Sequence, residues 1–390
     1  MQIEAPFNLV ETPAFVYDET EVDRVLAITR RLSAETGCKS CYSVKPLTLP
    51  PLLRHMASSL DGFAVSSPFE ARLARECLSG EGAIHFTSPG IREREVGDLT
   101  SLCDYVSFNS LGQWRRFSGH FSRHVSLGLR VNPGLSFLDD ERYDPCRLHS
   151  KLGVPLKDLA GWQNSRHSNL PRLDGILLHS NCESTDFSEL DKTVRQVKEY
   201  APNVLEEIRW INLGGGYLFP RGANLEPLVA VIRGLRSVYG LEVFLEPGAA
   251  FVRSAGYMVS SVLDVFFSEG KSVAVLDTTV NHMPELLEFD FEPDVNGHQE
   301  DGQFEYILAG CTCLAGDVFG EYKFPQPLEV GDRVLFCNVG SYTLTKAHMF
   351  NGINLPGIYA LKEADRLELL REFGYPDYES RWTTYASSPV

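Results

Sequence analysis

The chain has 390 residues, with 52 acidic side chains against 36 basic ones and a formal net charge of −16. That balance argues against a nucleic-acid or anionic-membrane partner, which would need a basic patch, and it suits a cationic small-molecule substrate. The length fits two domains, or one large α/β barrel with an appendage, and either can bury a sizeable core. Met1 to Val10 carries no basic region and no long apolar run, and no stretch approaches about 18 apolar residues. Neither a secretory signal nor a membrane-spanning helix is therefore expected. Nine cysteines at irregular spacings read as reduced thiols of a cytoplasmic protein rather than a disulfide framework. Cys311 and Cys313 form C-x-C with no second pair or histidine cluster at ligand spacing, so no metal site is expected.

Taken in chain order, Ala14–Tyr17 reads as a strand and Glu21–Thr36 as a helix, with Asp18 or Thr20 as its cap. Cys41–Val44 is a strand ending at Lys45-Pro46, Leu49–Ser58 is a helix and Phe63–Val65 a short strand. Pro68–Cys77 is helical, with Ser66-Ser67 as caps. Ile84–Phe86, Tyr105–Phe108, Ser126–Val131, Ile176–His179, Trp210–Leu213 and Val243–Leu245 continue the strands, with helices at Asp186–Tyr200 and Leu225–Tyr239. This rhythm of about eight strand-then-helix units predicts an α/β chain whose residues 22–255 form a (β/α)8 TIM-type barrel, with its chemistry at the C-terminal strand ends. A doubly wound sheet is the rival, but Gly214-Gly215-Gly216 is not the G-x-G-x-x-G dinucleotide fingerprint. After about Gly256 the long helices stop. Ser260–Phe267, Ser272–Asp277, Glu305–Ala309, Arg333–Cys337 and Ile358–Leu361 read as strands, with a turn at Val330-Gly331-Asp332. Residues 1–21 and 256–390 are thus expected to form a β domain. The acidic segment Glu288–Gln303 is expected to be a mobile surface loop.

Polar residues at the strand ends are the candidates for chemistry. Lys45 closes an apolar strand, where an amine in a partly desolvated barrel mouth could act as a covalent cofactor lysine; read alone it is equally a surface lysine opening a loop. Gly214-Gly215-Gly216 would leave backbone N–H groups open to an anion, or form a plain turn. Glu246, in Glu246-Pro247-Gly248, places a carboxylate at a strand end, where it can pair with a protonated ring nitrogen or simply close a turn. His179 ends its strand and can stack on a ring, although a lone histidine is more often structural. Cys313, in the β domain, can serve as a general acid or pack in a core, and Tyr342 can offer its hydroxyl to a phosphate or pack likewise.

The order of these residues says more than any one of them. It runs lysine, histidine, three glycines and Glu-Pro-Gly at successive strand ends, then cysteine and tyrosine in a β domain. Over nearly the whole chain it resembles the fold-type III pyridoxal-phosphate (PLP) decarboxylases, the alanine-racemase-like class that includes ornithine, arginine and diaminopimelate decarboxylases. The resemblance implies PLP carried by Lys45, stacked by His179, bound through its phosphate by Gly214, Gly215, Gly216 and Tyr342, and paired at its pyridine nitrogen with Glu246. It also implies a homodimer with shared active sites, in which Cys313 reaches the partner's site and protonates the product carbon.

Further stretches resemble the carboxynorspermidine (carboxyspermidine) decarboxylase branch in particular. These are Asp61-Gly-Phe-Ala-Val-Ser-Ser67 with Glu70, His179-Ser-Asn-Cys-Glu183, His282-Met-Pro284 with Glu288, Thr312-Cys-Leu-Ala-Gly-Asp317, Phe350-Asn-Gly352 and Arg371-Glu-Phe-Gly-Tyr375. The branch implies decarboxylation of an aminocarboxypropyl polyamine to norspermidine or spermidine. Glu183, His282, Glu288 and Asp317 are then substrate-binding candidates, the acidic ones through the substrate ammonium groups, although those are equally read as solvated surface charges. Three positions depart from the pattern: Ala249 where many relatives carry Arg, Ser341 where the branch has His, and Asn281 where Cys is expected. They keep open a paralogue acting on another aminocarboxypropyl compound or a basic amino acid. An inactive regulatory relative is a further alternative, against which the presence of both Lys45 and Cys313 speaks.

Overall fold

The structure, a computed structural model, describes residues 5–78, 80–164 and 171–383, so the first four residues of the N-terminal stretch lie outside it. It divides into two units, Arg24–Phe251 and Met1–Asp23 with Val252–Val390.

The first unit is a closed barrel of eight parallel strands: Lys39–Ser43, Gly62–Val65, Ala83–Ser88, Tyr105–Phe108, Ser126–Asn132, Gly175–Leu178, Trp210–Asn212 and Glu242–Leu245. Each pairs with the next, and Phe244 pairs back onto Lys39 to close the ring. The strands read as short apolar runs because both their faces are covered. Gly62–Val65 and Gly175–Leu178 are buried at every position. Helices between them start on local signals. Asp18 Oδ1 accepts the Thr20 N–H, so Asp18 is the cap and Thr20 lies inside the helix Glu19–Thr36. Ser67 Oγ accepts the Glu70 N–H, and Ser110 Oγ the Gln113 N–H.

One end of the barrel is sealed. Asp61, Asp104 and Asp174, each one residue before a strand, accept the N–H of Ser40, Ile84 and Leu127 on the neighbouring strand. Above that rim the Trp210 indole lies across two adjacent strands. It fits because they carry Gly175 and Gly128, where a Cβ would lie 2.0 Å and 2.5 Å from the indole. Its N–H is satisfied by Ser126 Oγ at 2.8 Å. With this end filled, the opposite, C-terminal rim is left for chemistry.

The second unit is a mixed sheet. Its long strand Gly256–Ser268 pairs antiparallel with Ala14–Asp18, Lys271–Leu276 and Arg333–Cys337. Val10, Ala14, Val16, Val259, Leu335 and Leu361 form its core. Two of its strands, Val318–Phe324 and Arg366–Arg371, were not anticipated from sequence; the second mixes charged residues with half-buried or exposed leucines and buries no residue fully. The segment 288–303 is not the free loop expected. Glu285–Phe289 is a short helix and Asp294–Val295 pairs with Arg333–Cys337. Pro293 O accepts the Tyr322 hydroxyl and His298 Nδ1 accepts the Lys323 N–H, so one side chain and one backbone N–H of the strand Val318–Phe324 hold the acidic segment down. Among the described residues no helix is long and apolar enough to cross a membrane.

Candidate active site

Lys45, His179, the Gly214–Gly216 turn and Glu246 all follow barrel strands at the C-terminal rim. Lys45 is exposed to solvent at the rim. Desolvation by the groups packed around its amine, and then the Arg130 guanidinium, lowers its pKa, while Glu246, Cys182 and Glu70 raise it. An amine so placed holds a larger neutral, nucleophilic fraction than a free lysine. Burial first, then Lys45 and Arg130, holds His179 well below its usual range, so its imidazole is neutral. Its Nδ1 accepts the Gly215 N–H at 3.2 Å, which leaves the proton on Nε2.

The glycine turn is rigid. Gly214 and Gly216 have φ of +71° and +89°, and a Cβ on them would lie 2.2 Å from Leu178 O and 2.1 Å from Asn181 O. Gly215 is excluded from substitution by the Glu246 carbonyl, 2.3 Å from its Cβ position. The expectation that all three N–H groups face an anion is corrected here. The Gly214 N–H goes to Asn212 Oδ1 at 2.8 Å and the Gly215 N–H to His179. The first of these bonds ties the turn to its own strand and the second ties it to His179 at the end of the strand Gly175–Leu178.

Glu246 is buried, and burial raises its pKa to about 7 against the opposing effects of Asn212, Lys45 and Arg130. Glu70 is also raised by burial and lies within the field of Lys45. Glu183 is half-buried at φ 53° on the loop that follows His179. Glu189 fixes that loop by accepting from Asn181 Nδ2 at 2.5 Å and Ser184 Oγ at 2.6 Å.

The remaining candidates belong to the sheet unit, where three distant stretches of sequence converge. Asp317 accepts the N–H groups of Val280 and Thr312 and the Thr312 hydroxyl. Thr278 Oγ1 meets His282 Nδ1 at 2.9 Å, and Asn351 Oδ1 accepts the Cys313 N–H at 2.9 Å. His282 and Asp317 are therefore buried loop-organising groups, and the Asp317 carboxylate is occupied by its own unit rather than presented to a substrate ammonium. Cys313, by contrast, is exposed at the surface of this cluster. Glu288 is exposed and ion-paired with Lys346, which also bonds Glu285 at 2.9 Å. Tyr342, at φ 59°, lies with its ring 5.6 Å from the Lys346 ammonium.

Sequence reasoning missed Arg130, Asn212 and His85. The signal was present: each is a single strongly polar residue inside a strand whose neighbours are apolar, in Leu-Gly-Leu-Arg130-Val, Trp-Ile-Asn212-Leu and Ala-Ile-His85-Phe. Both faces of such a strand are buried, so each needs a partner.

A partly neutral lysine beside a buried, protonatable carboxylate, on the open rim of a parallel barrel, is the equipment of a barrel-type PLP enzyme. The model of the family described as "Pyridoxal-dependent decarboxylase, C-terminal sheet domain" matches residues 14–340. Carboxyaminopropylagmatine decarboxylase of Synechocystis sp. is 37% identical over 377 residues, 95% of each chain. Carboxynorspermidine/carboxyspermidine decarboxylase of Campylobacter jejuni is 32% identical over 390 residues, 96% of this chain and 99% of that one. The crystal structure of carboxynorspermidine decarboxylase complexed with norspermidine, from Campylobacter jejuni, superposes with a TM-score of 0.86 at 30% identity, covering 95% of this chain and all of that one. The chain belongs to the pyridoxal-dependent decarboxylase family: it is a carboxy-lyase whose cofactor is PLP.

Proposed function

We propose that this enzyme decarboxylates an aminocarboxypropyl polyamine, carboxynorspermidine or carboxyspermidine, to norspermidine or spermidine. The observation that carries the reading is the superposition along 95% of the chain on the norspermidine-bound enzyme. Bound PLP supplies the electron sink for the pair left when the C–COO⁻ bond breaks. Lys45 holds the cofactor covalently, and its lowered pKa supports that role. Glu246 keeps a proton on the ring nitrogen, and neutral His179 packs against the ring without adding charge. With two of the three turn N–H groups engaged, anion binding within the turn falls to Gly216; Tyr342 is the further phosphate candidate. Cys313 delivers the proton to the carbon that lost CO2, acting in the partner's site of a homodimer. Its exposure, on a unit that does not carry Lys45, supports that arrangement. Nine cysteines, all without disulfides, support a cytoplasmic enzyme.

A second reading rests on the 37% identity to the Synechocystis enzyme: the substrate is carboxyaminopropylagmatine, the same aminocarboxypropyl head on a guanidinium tail. The test is CO2 release by PLP-loaded protein across carboxynorspermidine, carboxyspermidine, carboxyaminopropylagmatine, diaminopimelate, ornithine, arginine and lysine. Preference for the first two supports the proposal. Preference for the third replaces it with the second reading, and turnover only of the amino acids overturns both.

A further inference from the structure

Below Glu246 the barrel interior is not apolar. Asn212, on the strand Trp210–Asn212, is fully buried and makes three hydrogen bonds. Its Oδ1 accepts the Gly214 N–H at 2.8 Å, which fixes the orientation of the amide. Nδ2 must then donate, and it does so to Glu246 Oε1 at 2.6 Å and towards His85 Nδ1 at 3.3 Å. His85, on the strand Ala83–Ser88, is buried as well. Its ring stacks on Tyr105 with centroids 4.2 Å apart and tilts against Phe244 at 4.5 Å. Burial lowers this imidazole to about 3, so the 3.8 Å approach of Nδ1 to Glu246 is not an ion pair. Nδ1 is an acceptor and the ring proton sits on Nε2. Below, the Tyr105 hydroxyl donates to Glu242 Oε2 at 3.3 Å, and Glu242 pairs with Lys39.

The roles of Glu246, Asn212 and His85 Nδ1 agree with one another, while His85 Nε2 is buried without a hydrogen-bond partner, so this imidazole is held by Asn212 and by its ring contacts. A carboxylate in such surroundings is disfavoured as an anion unless donors are aimed at it. Asn212 is aimed at it. The same amide holds the first glycine of the turn, so one side chain sets the position of the carboxylate and of the turn together. His85 accepts the second amide proton, without which Asn212 would carry an unmade donor in the barrel core.

We propose that Asn212 and His85 are positioning residues for the PLP ring: Asn212 holds Glu246 ionised and in register with the glycine turn, and neutral His85 locks the Asn212 amide. The inference rests on the reading that Glu246 faces the pyridine nitrogen. Lys45 and Arg130 are the cations facing Glu246, and His85 and Cys41 are its other titratable neighbours. None of them replaces a donor in contact with the carboxylate.

The experiment is PLP titration of wild type, Asn212→Leu, His85→Phe and Glu246→Gln from pH 5.5 to 9, followed by absorption of the bound cofactor, with thermal unfolding of each variant. Asn212→Leu removes a bond to a charged group, so PLP binds roughly 10-fold to 100-fold more weakly at pH 7. The acid limb of its affinity profile moves to higher pH, because Glu246 becomes harder to ionise. His85→Phe keeps the stack on Tyr105 and moves the limb the same way by less. Glu246→Gln abolishes the limb. If Glu246→Gln abolishes it while both other variants keep the wild-type profile, the inference is overturned. If Glu246→Gln itself keeps the limb, the underlying reading of Glu246 fails instead. Should Asn212→Leu not unfold cooperatively, His85→Phe decides alone, and an unmoved limb there overturns the proposal.

Discussion

Glu246→Gln should stabilise the cofactor-free protein at neutral pH, and the gain should vanish in acid. Burial raises the Glu246 carboxyl from 4.5 to about 7. A carboxyl whose folded pKa lies above its unfolded one contributes nothing unfavourable below about pH 4, where both states are protonated. As pH rises, the unfolded chain ionises first, so stability falls until the folded carboxyl ionises too near pH 7. A difference of about 2.5 pKa units corresponds to roughly 3 kcal/mol, and most of it, about 2 to 3 kcal/mol, is lost between pH 5 and pH 8. Gln keeps an oxygen for the Asn212 donor and carries no charge, so it escapes this loss. For a unit the size of the barrel, a shift of about 2–4 °C per kcal/mol is expected. The melting temperature of Glu246→Gln should therefore exceed that of wild type by several degrees at pH 8 and match it closely at pH 4. The assay is thermal unfolding of PLP-stripped protein at both pH values, with PLP affinity measured in parallel. A stability difference that does not change with pH would refute the argument that a desolvated carboxyl sits here.

Four further outcomes follow from the geometry. Lys45→Ala should abolish covalent cofactor loading. Arg130→Gln removes a cation that lowers the Lys45 pKa, so covalent loading should slow at pH 7 and recover at higher pH; stopped-flow absorption across pH checks both. Gly216→Ala combines a φ of +89° with a Cβ 2.1 Å from Asn181 O. It should lose about 1–3 kcal/mol or more in denaturant unfolding and bind PLP weakly. Cys313→Ser sits on an exposed side chain, so the melting temperature should hold within about 1 °C, whereas kcat should fall roughly 100-fold or more if the thiol is the general acid. An unchanged kcat would remove Cys313 from the mechanism.

Most barrel strands were legible because a parallel strand covered on both faces must be a short apolar run, and Phe63–Val65, Tyr105–Phe108 and Ile176–Leu178 are such runs. Capping serines and Asp18 marked helix starts through chemistry that is local in sequence. Arg366–Arg371 was not legible: its leucines are half-buried or exposed and charged residues make up the rest of it, so its strand identity comes from pairing with Gly357–Lys362. The segment 288–303 looked like a free loop because its composition is acidic and turn-rich, while the partners that hold it, Tyr322 and Lys323, come later in the chain.

By itself the sequence determined the strand–helix rhythm, the placing of Lys45, His179, the three glycines and Glu246 at strand ends, and the resemblance that tied them to PLP. Each depends on order and on local residue type. Only the tertiary structure decided which of those groups are engaged by others. Two of the three glycine N–H groups already have acceptors, Asp317 and His282 are turned inward, and Arg130, Asn212 and His85 stand beneath the rim. The physical reason is that closing eight strands brings side chains far apart in sequence within hydrogen-bonding distance: Asn212 meets His85 across 127 residues and Glu246 across 34. No spacing rule along the chain encodes a contact made across a barrel.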